Sequence, residues 1–354
     1  MEWICTYLNN EKYQLSFIFL NNDNTEIETF VRERNYPYLR IPVHGKTGLL
    51  LAIIKSIPFL IKNKTDIIHC QLFLSNVVGL ISGVLAGVRK RIFTRHHSIA
   101  NHVDSPKAVF FDKVINFLAT DIVSICKNVD DVLINLEHVN PKKIHTINHG
   151  FLFEEYEDIT EERVSRFKEK YQIKNNVIVI GVVSRYLKLK GLQYIIPAFA
   201  DVLVKYPDAK LILANALGPY KNEVRELLKD IPVQNYIEIP YERDMGAFYK
   251  SVDVYVHTPI DTQCEAFGQT YVEALIAKTP SVFSLSGIAN EFIINNRNAI
   301  VVPHQETKPI ADAIELLISD AALRNTIIEN GYNDVKDRFQ LTNMIVALEK
   351  LYDQ

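Results

Sequence analysis

The residues richest in chemistry stand in two short stretches of the C-terminal half. In CEAFGQTYVEALIAKTP (264–280), Glu265 and Glu273 flank seven residues. Phe267-Gly268 makes a turn between them, and a helix opens near Gln269. A helix start presents unpaired backbone N–H groups and a partial positive charge, which suits a diphosphate or a sugar hydroxyl. Glu265 then lies on the loop beside such a ligand, and Glu273 lies one turn inside the helix, on the side that still reaches it. A carboxylate accepts two hydrogen bonds at once, a match for the vicinal hydroxyls of a ribose. In GVVSRYLKLKGLQYII (181–196), a strand ends at Ser184, and Arg185 and Lys190 occupy a short loop before Gly191 opens a helix. Two cations and a helix start make a phosphate site. Alone, either stretch also reads as ordinary solvated surface. The apolar strand before the first, E-A-L after Val272 and the strand from Pro280 favour a site.

These residues need strands and helices to position them. Candidate strands in the N-terminal half are 15–20, 66–70, 90–95, 121–126 and 143–148, with helices at 47–63, 73–87, 106–119 and 128–138. After Gly150 a charged segment intervenes, helical only around 160–171. Strands then resume at 177–184, 209–214, 236–240, 252–257, 280–285 and 299–303, with helices at about 191–205, 220–229, 244–250, 268–278, 288–294, 308–317 and 320–337. Such alternation predicts parallel sheets covered by helices on both faces. Two domains in tandem, joined near 151–160, are expected to face a ligand cleft across their strand carboxyl ends. Residues 2–13 read as a helix placed before the first strand.

Composition bounds the partners. The 354 residues suit two domains, and a net charge of −3 provides no general drive toward nucleic acid. Cys5, Cys70, Cys126 and Cys264 are scattered without a C-x-x-C pair, which excludes a zinc or disulfide framework and fits a reducing cytoplasm. Cys264 reads as a packing residue despite its place beside the glutamate segment. Met1 opens no secretory signal, and the apolar stretches 48–61 and 72–88 are too short or too interrupted for spanning helices. Arg89, Lys90 and Arg91 after the second stretch read either as a solvated helix end or as a peripheral contact with a membrane surface.

The C-terminal half resembles the retaining GT-B glycosyltransferases of glycosyltransferase family 4. That family shows a strand, G-R, K-G and later E-x-F-G-x-x-x-x-E-A. This sequence has Ser184-Arg185, Lys190-Gly191 and E-A-F-G-Q-T-Y-V-E-A (265–274). The segments 206–214, 248–259 and 286–293 are similar in kind, so the likeness covers nearly all of 177–338. In the N-terminal half, Thr94-Arg95-His96 is similar to the family's T-x-H after a strand, and DIIHCQLF (66–73) to its D-x-x-H segment. The resemblance implies an α/β fold of GT-B type, with two Rossmann-like doubly wound domains facing a central cleft. These would be an acceptor-side domain over 1–155, joined by a C-terminal helix over 339–354, and a nucleotide-sugar domain over 156–338.

The resemblance also implies roles. Arg185 and Lys190 would hold the donor diphosphate, Glu273 its ribose, and the Phe267-Gly268 backbone the sugar hydroxyls. Glu265 would face the transferred sugar, and the loop at 239–243 would border the base. His96 is the candidate beside the reacting sugar, with adjacent His97 as the alternative and His69 as a structural residue. The expected reaction is retaining transfer from a nucleotide-diphospho-sugar to a glycan or lipid-linked acceptor in surface polysaccharide assembly. It would run without cofactor or metal, in the cytoplasm or at the inner face of its membrane. Departures are Ser184, Ala214, Ala216 and Ala299 at positions where the family favours glycine, and the lack of its opening strand and glycine-rich loop. A shortened member, or a start later than the true initiation point, would account for that lack. Two other readings stay open: a non-catalytic GT-B partner of a transferase, and a GT-B sugar-nucleotide epimerase.

Overall fold

Runs of β-branched and aliphatic residues too short for helices fold into parallel strands, and the longer amphipathic segments between them form the covering helices. The computed structural model describes residues 2–354, apart from the side chains at 100, 104 and 106. It divides into one unit of Met1–Gly150 with Leu341–Gln354, and a second of Phe151–Gln340.

The first unit contains β1 (Phe17–Phe19), β2 (Tyr38–Arg40), β3 (Ile67–Gln71), β4 (Lys90–Arg95), β5 (Asp121–Ser124) and β6 (Ile144–Thr146). β3 to β6 form a parallel sheet in sequential order. β1 and β2 form a separate parallel pair. The C-terminal helix Leu341–Tyr352 packs Leu348 and Leu351 on Ile92 and Val123 of the larger sheet.

Three features differ from expectation. The opening helix spans only Glu2–Tyr7, because Asn9 turns the chain and its N–H donates to the Glu349 carboxylate. A helix at Glu26–Glu33 and the strand β2 went unanticipated; three strand residues just ahead of Pro42 carry no usable period. The segment foreseen as a helix over 128–138 is α-helical only over Lys127–Asp131, then widens to a π-turn over Val132–Leu136.

The second unit contains β7 (Val179–Val183), β8 (Lys210–Ala214), β9 (Tyr236–Ile239), β10 (Val254–His257), β11 (Ser281–Phe283) and β12 (Ile300–Val301). All pair in parallel, in the order β12-β11-β10-β7-β8-β9. The core runs along one face of β7 and β8, where Ile180, Val182, Leu211 and Leu213 meet Phe199 of the helix Leu192–Lys205. The strand order fixes where a ligand can sit. From β7 the chain winds outward through β8 and β9, then returns to the other side of β7 with β10. The loops after β7 and β10 therefore part and leave a crevice at the carboxyl ends of the strands.

Candidate functional site

Arg185 and Lys190 follow β7, and Glu265 follows β10, so the strand order brings all three to the switch point. Gly191 is what lets the two loops touch. It has φ +79, and a Cβ there would lie 1.9 Å from the Thr258 carbonyl oxygen. The Ile260 N–H donates to the Leu189 carbonyl at 3.1 Å and ties the loops together. Lys190 Nζ consequently reaches Glu265 Oε1 at 2.5 Å.

His257, the last residue of β10, donates from Nε2 to the same oxygen at 3.0 Å. The Glu265 N–H donates to Ser286 Oγ beyond β11. Burial pushes the Glu265 carboxyl up, but Lys190 and His257 outweigh it and hold the pKa at about 2. Burial lowers His257 more than Glu265 raises it, so the ring is neutral at physiological pH. His257 was not anticipated; as the end of an apolar strand it gave no pattern, although it lies eight residues before Glu265.

Gly268 opens the helix Gln269–Ile276 at φ +83, and a Cβ there would meet the Tyr271 ring at 2.6 Å. The Phe267 side chain is buried against Phe151 and Phe339, so only the backbone of this turn is offered to a ligand. Glu273 lies on that helix but does not join the Lys190 pair. Its Oε2 accepts from the Tyr249 hydroxyl at 2.8 Å, and the Tyr156 hydroxyl also donates to it. Burial raises its pKa against the pull of these two hydroxyls. The buried Tyr255 of β10 feels the charge of both glutamates. Arg185 is exposed, and its guanidinium has no protein partner among the described residues. In the loop at 239–243, Tyr241 is exposed while Glu242 accepts from Lys170 and Tyr171. Burial pushes the Cys264 thiol up to about 12, which leaves it unreactive as a nucleophile.

The first unit carries its own polar cluster at the carboxyl ends of its strands. His96, just past β4, donates from Nε2 to Gln71 Oε1 at the end of β3 at 2.6 Å. The orientation of the Gln71 amide is set by its Nε2, which donates to Thr94 Oγ1. His69 bonds the same hydroxyl and, through its other nitrogen, Tyr352 of the C-terminal helix. His149, beyond β6, stacks on His96 with ring centroids 5.6 Å apart and 6° between planes. Burial lowers the pKa of each of these three histidines to about 4, so all are neutral at physiological pH. His149 was missed because β6 and its loop carry no motif.

His97 faces differently from His96. It bonds Asp112, which pairs at 3.1 Å with the fully buried Arg95. Arg95 also pairs with Glu137 at 2.5 Å. This buried ion cluster anchors the loop that displays His96. Among the described residues no group of three or more His, Cys, Asp or Glu side chains is placed to hold a metal ion, and no helix is long and apolar enough to cross a membrane.

Comparison with known proteins adds the family. Residues 164–334 match Glycosyl transferases group 1, and residues 4–152 match Glycosyltransferase Family 4. The chain is 27% identical to the capsular polysaccharide biosynthesis glycosyltransferase CapM of Staphylococcus aureus, over 97% of this chain and 90% of that protein. A glycosyltransferase from Rickettsia africae superposes with a TM-score of 0.83 at 20% identity, covering 99% and 92% of the two chains. Anabaena HepE, solved with UDP and glucose, superposes at 0.84 and 18% identity over 96% and 99%. With both halves matched and two parallel-sheet units in place, the chain belongs to the GT-B glycosyltransferases of family 4.

Proposed function

We propose that this glycosyltransferase takes a sugar from a nucleotide-diphospho-sugar and passes it, with retention at the anomeric carbon, to a glycan or lipid-linked acceptor in surface polysaccharide assembly. The observation that carries the reading is the part-buried Lys190–Glu265 pair at the strand switch point, next to the amino end of the helix Gln269–Ile276. The likeness to CapM, named for capsular polysaccharide biosynthesis, supports the acceptor class. HepE, solved in complex with UDP-glucose, supports a nucleotide-sugar donor.

In this reading the donor diphosphate lies over the helix amino end, held by Arg185 and Lys190. As the bond from the anomeric carbon to the phosphate oxygen breaks, the leaving diphosphate gains charge. Lys190, held by Glu265, stabilises it with little reorganisation and contributes about 10²–10³ in rate, and the exposed Arg185 closes on the same charge from solvent. Charge neutralisation thus falls to side chains, and no metal enters the reaction. Glu265, held ionised, stabilises the oxocarbenium character of the sugar. The acceptor oxygen attacks on the face the diphosphate is leaving, and its proton passes to the departing phosphate oxygen. Glu273 trades its tyrosine partners for the ribose hydroxyls, and His96 presents an uncharged ring to the sugar.

The purified chain, incubated with UDP-, GDP- and ADP-sugars and membrane-derived or glycan acceptors, is expected to form one glycoside whose anomeric proton coupling by NMR matches the donor. An inverted product would refute retention. Release of an epimerised sugar without acceptor, or no product from any donor, would refute transfer.

A further inference from the structure

Leu72 joins β3 to the helix Phe73–Leu85 with φ 71 and ψ 160, a combination open to glycine and essentially closed to a residue with a Cβ. Of the described non-glycine residues at positive φ, it alone is apolar. Its side chain is nevertheless 67% exposed. A glycine there would relieve the backbone and take an apolar group out of water, so fold stability does not favour leucine at this position. The neighbouring chain holds the strain in place. Ser75 Oγ donates to the Leu72 carbonyl at 2.9 Å and also to the Gln71 carbonyl, and the Asn76 N–H donates to the Leu72 carbonyl at 3.0 Å.

The strained residue stands next to the neutral cluster. Leu72 directly follows Gln71, whose side chain bonds His96 and Thr94. The residue after it, Phe73, is 40% exposed and meets the exposed Phe111 edge-on, with 6.1 Å between ring centroids. An apolar rim of Leu72, Phe73 and Phe111 therefore lies beside an uncharged hydrogen-bonding group of Gln71, His96 and His149. A pyranose ring has the same two kinds of surface, hydroxyls around its edge and C–H bonds on its faces. Apolar walls with a few fixed polar groups are the usual make-up of a site for such a small molecule. The absence of charge on the histidines suits a hydroxyl better than a phosphate or carboxylate.

We propose that Leu72 is a specificity-determining residue for the acceptor, packing on the C–H face of a hexopyranose whose hydroxyls bond the His96–Gln71 pair. Strain of this kind persists at ligand clamps, where the surrounding structure over-determines it. A backbone already held in one conformation presents its side chain with less ordering left to do when the ligand arrives. The hexopyranose's role as acceptor rests on the transfer reading; the contact with Leu72 does not.

The test is saturation-transfer NMR of the full chain with the methyl glycosides of glucose, galactose, mannose and N-acetylglucosamine, with melting temperatures taken on the same samples. The native chain is expected to bind at least one, with the strongest signal at ring C–H protons. Leu72→Ala keeps the strained position without the side chain, and should weaken that glycoside about tenfold with no gain in melting temperature. Leu72→Gly should weaken it as much, yet raise the melting temperature by about 2 °C or more. Leu72→Met keeps the apolar bulk and should bind within about threefold of the native chain. No glycoside bound by the native chain, affinity unchanged in the alanine and glycine variants, or a lower melting temperature in Leu72→Gly would each overturn the proposal. A nucleotide titration alongside tests the donor site separately. Failure there, with the glycoside pattern intact, would refute the donor reading and uphold the Leu72 contact.

Discussion

The two units place polar clusters at equivalent ends of their sheets, yet the clusters are electrically opposite. Beyond β7 and β10, Lys190 pairs with Glu265 at 2.5 Å, and that pairing with His257 overcomes burial to keep the Glu265 carboxylate ionised. In the first unit, His69 of β3, His96 past β4 and His149 past β6 lie with hydroxyl, amide and ring partners, and burial keeps them neutral. A buried charge persists only when paired, and a buried imidazole without a carboxylate sheds its proton. One cluster holds fixed charge at the strand ends. The other offers hydrogen bonds without charge. The contrast suits the proposed function, in which an anionic donor meets one cluster and an uncharged hydroxyl acceptor the other.

Removing Lys190 should break the contrast most severely. Lys190→Ala is expected to lower turnover by about 10²–10³-fold and, by stranding buried Glu265, to destabilise the fold by about 3–5 kcal/mol. Adding Glu265→Gln should recover stability in urea titrations but leave turnover low. If both recover together, Lys190 is structural. Glu273→Gln comes next. It should weaken nucleoside-diphosphate affinity by about tenfold, because a charged acceptor is lost while the shape is kept. His257→Leu should lower kcat by roughly tenfold with little change in KM, and His257→Gln, which keeps a donor, should restore most of it. Equal effects from the two variants would show that the ring only fills space.

The smallest effects are in pH dependence, and their directions differ between the clusters. Glu265 titrates at about 2 folded against 4.5 as its ordinary value. Its contribution to stability is therefore complete above about pH 4.5 and drains away as the pH falls toward 2. The His96 pKa is about 4 against 6.5. The unfolded chain binds the extra proton between these values, so stability rises with pH from about 4 to 6.5 and is flat above. His69 and His149 share the upper window, so thermal melts across pH should show it become shallower, not flat, in His96→Asn, and the lower window flatten in Glu265→Gln.

Much of the second unit was legible in the sequence because its signals are local. Arg185, Lys190, Glu265, Gly268 and Glu273 sit within a few residues of a strand end or helix start, where periodicity marks the boundary. What escaped was contact across the chain. His257 closes an unremarkable apolar strand, Tyr249 and Tyr156 come from distant helices to hold Glu273, and His149 follows a three-residue strand. The adjacent His96 and His97 were indistinguishable by type, and only the buried Arg95–Asp112 pair separates their surroundings.

The proposed function requires Arg185, Lys190 and Glu273 to serve one nucleotide-sugar, although Glu273 is bound to tyrosines and Arg185 is exposed. Calorimetric titration of Arg185→Ala, Lys190→Ala and Glu273→Ala with the nucleotide-sugar that stabilises the native chain is the most direct trial. The account predicts at least about tenfold weaker binding in each variant. Affinities equal to the native value in all three would contradict it.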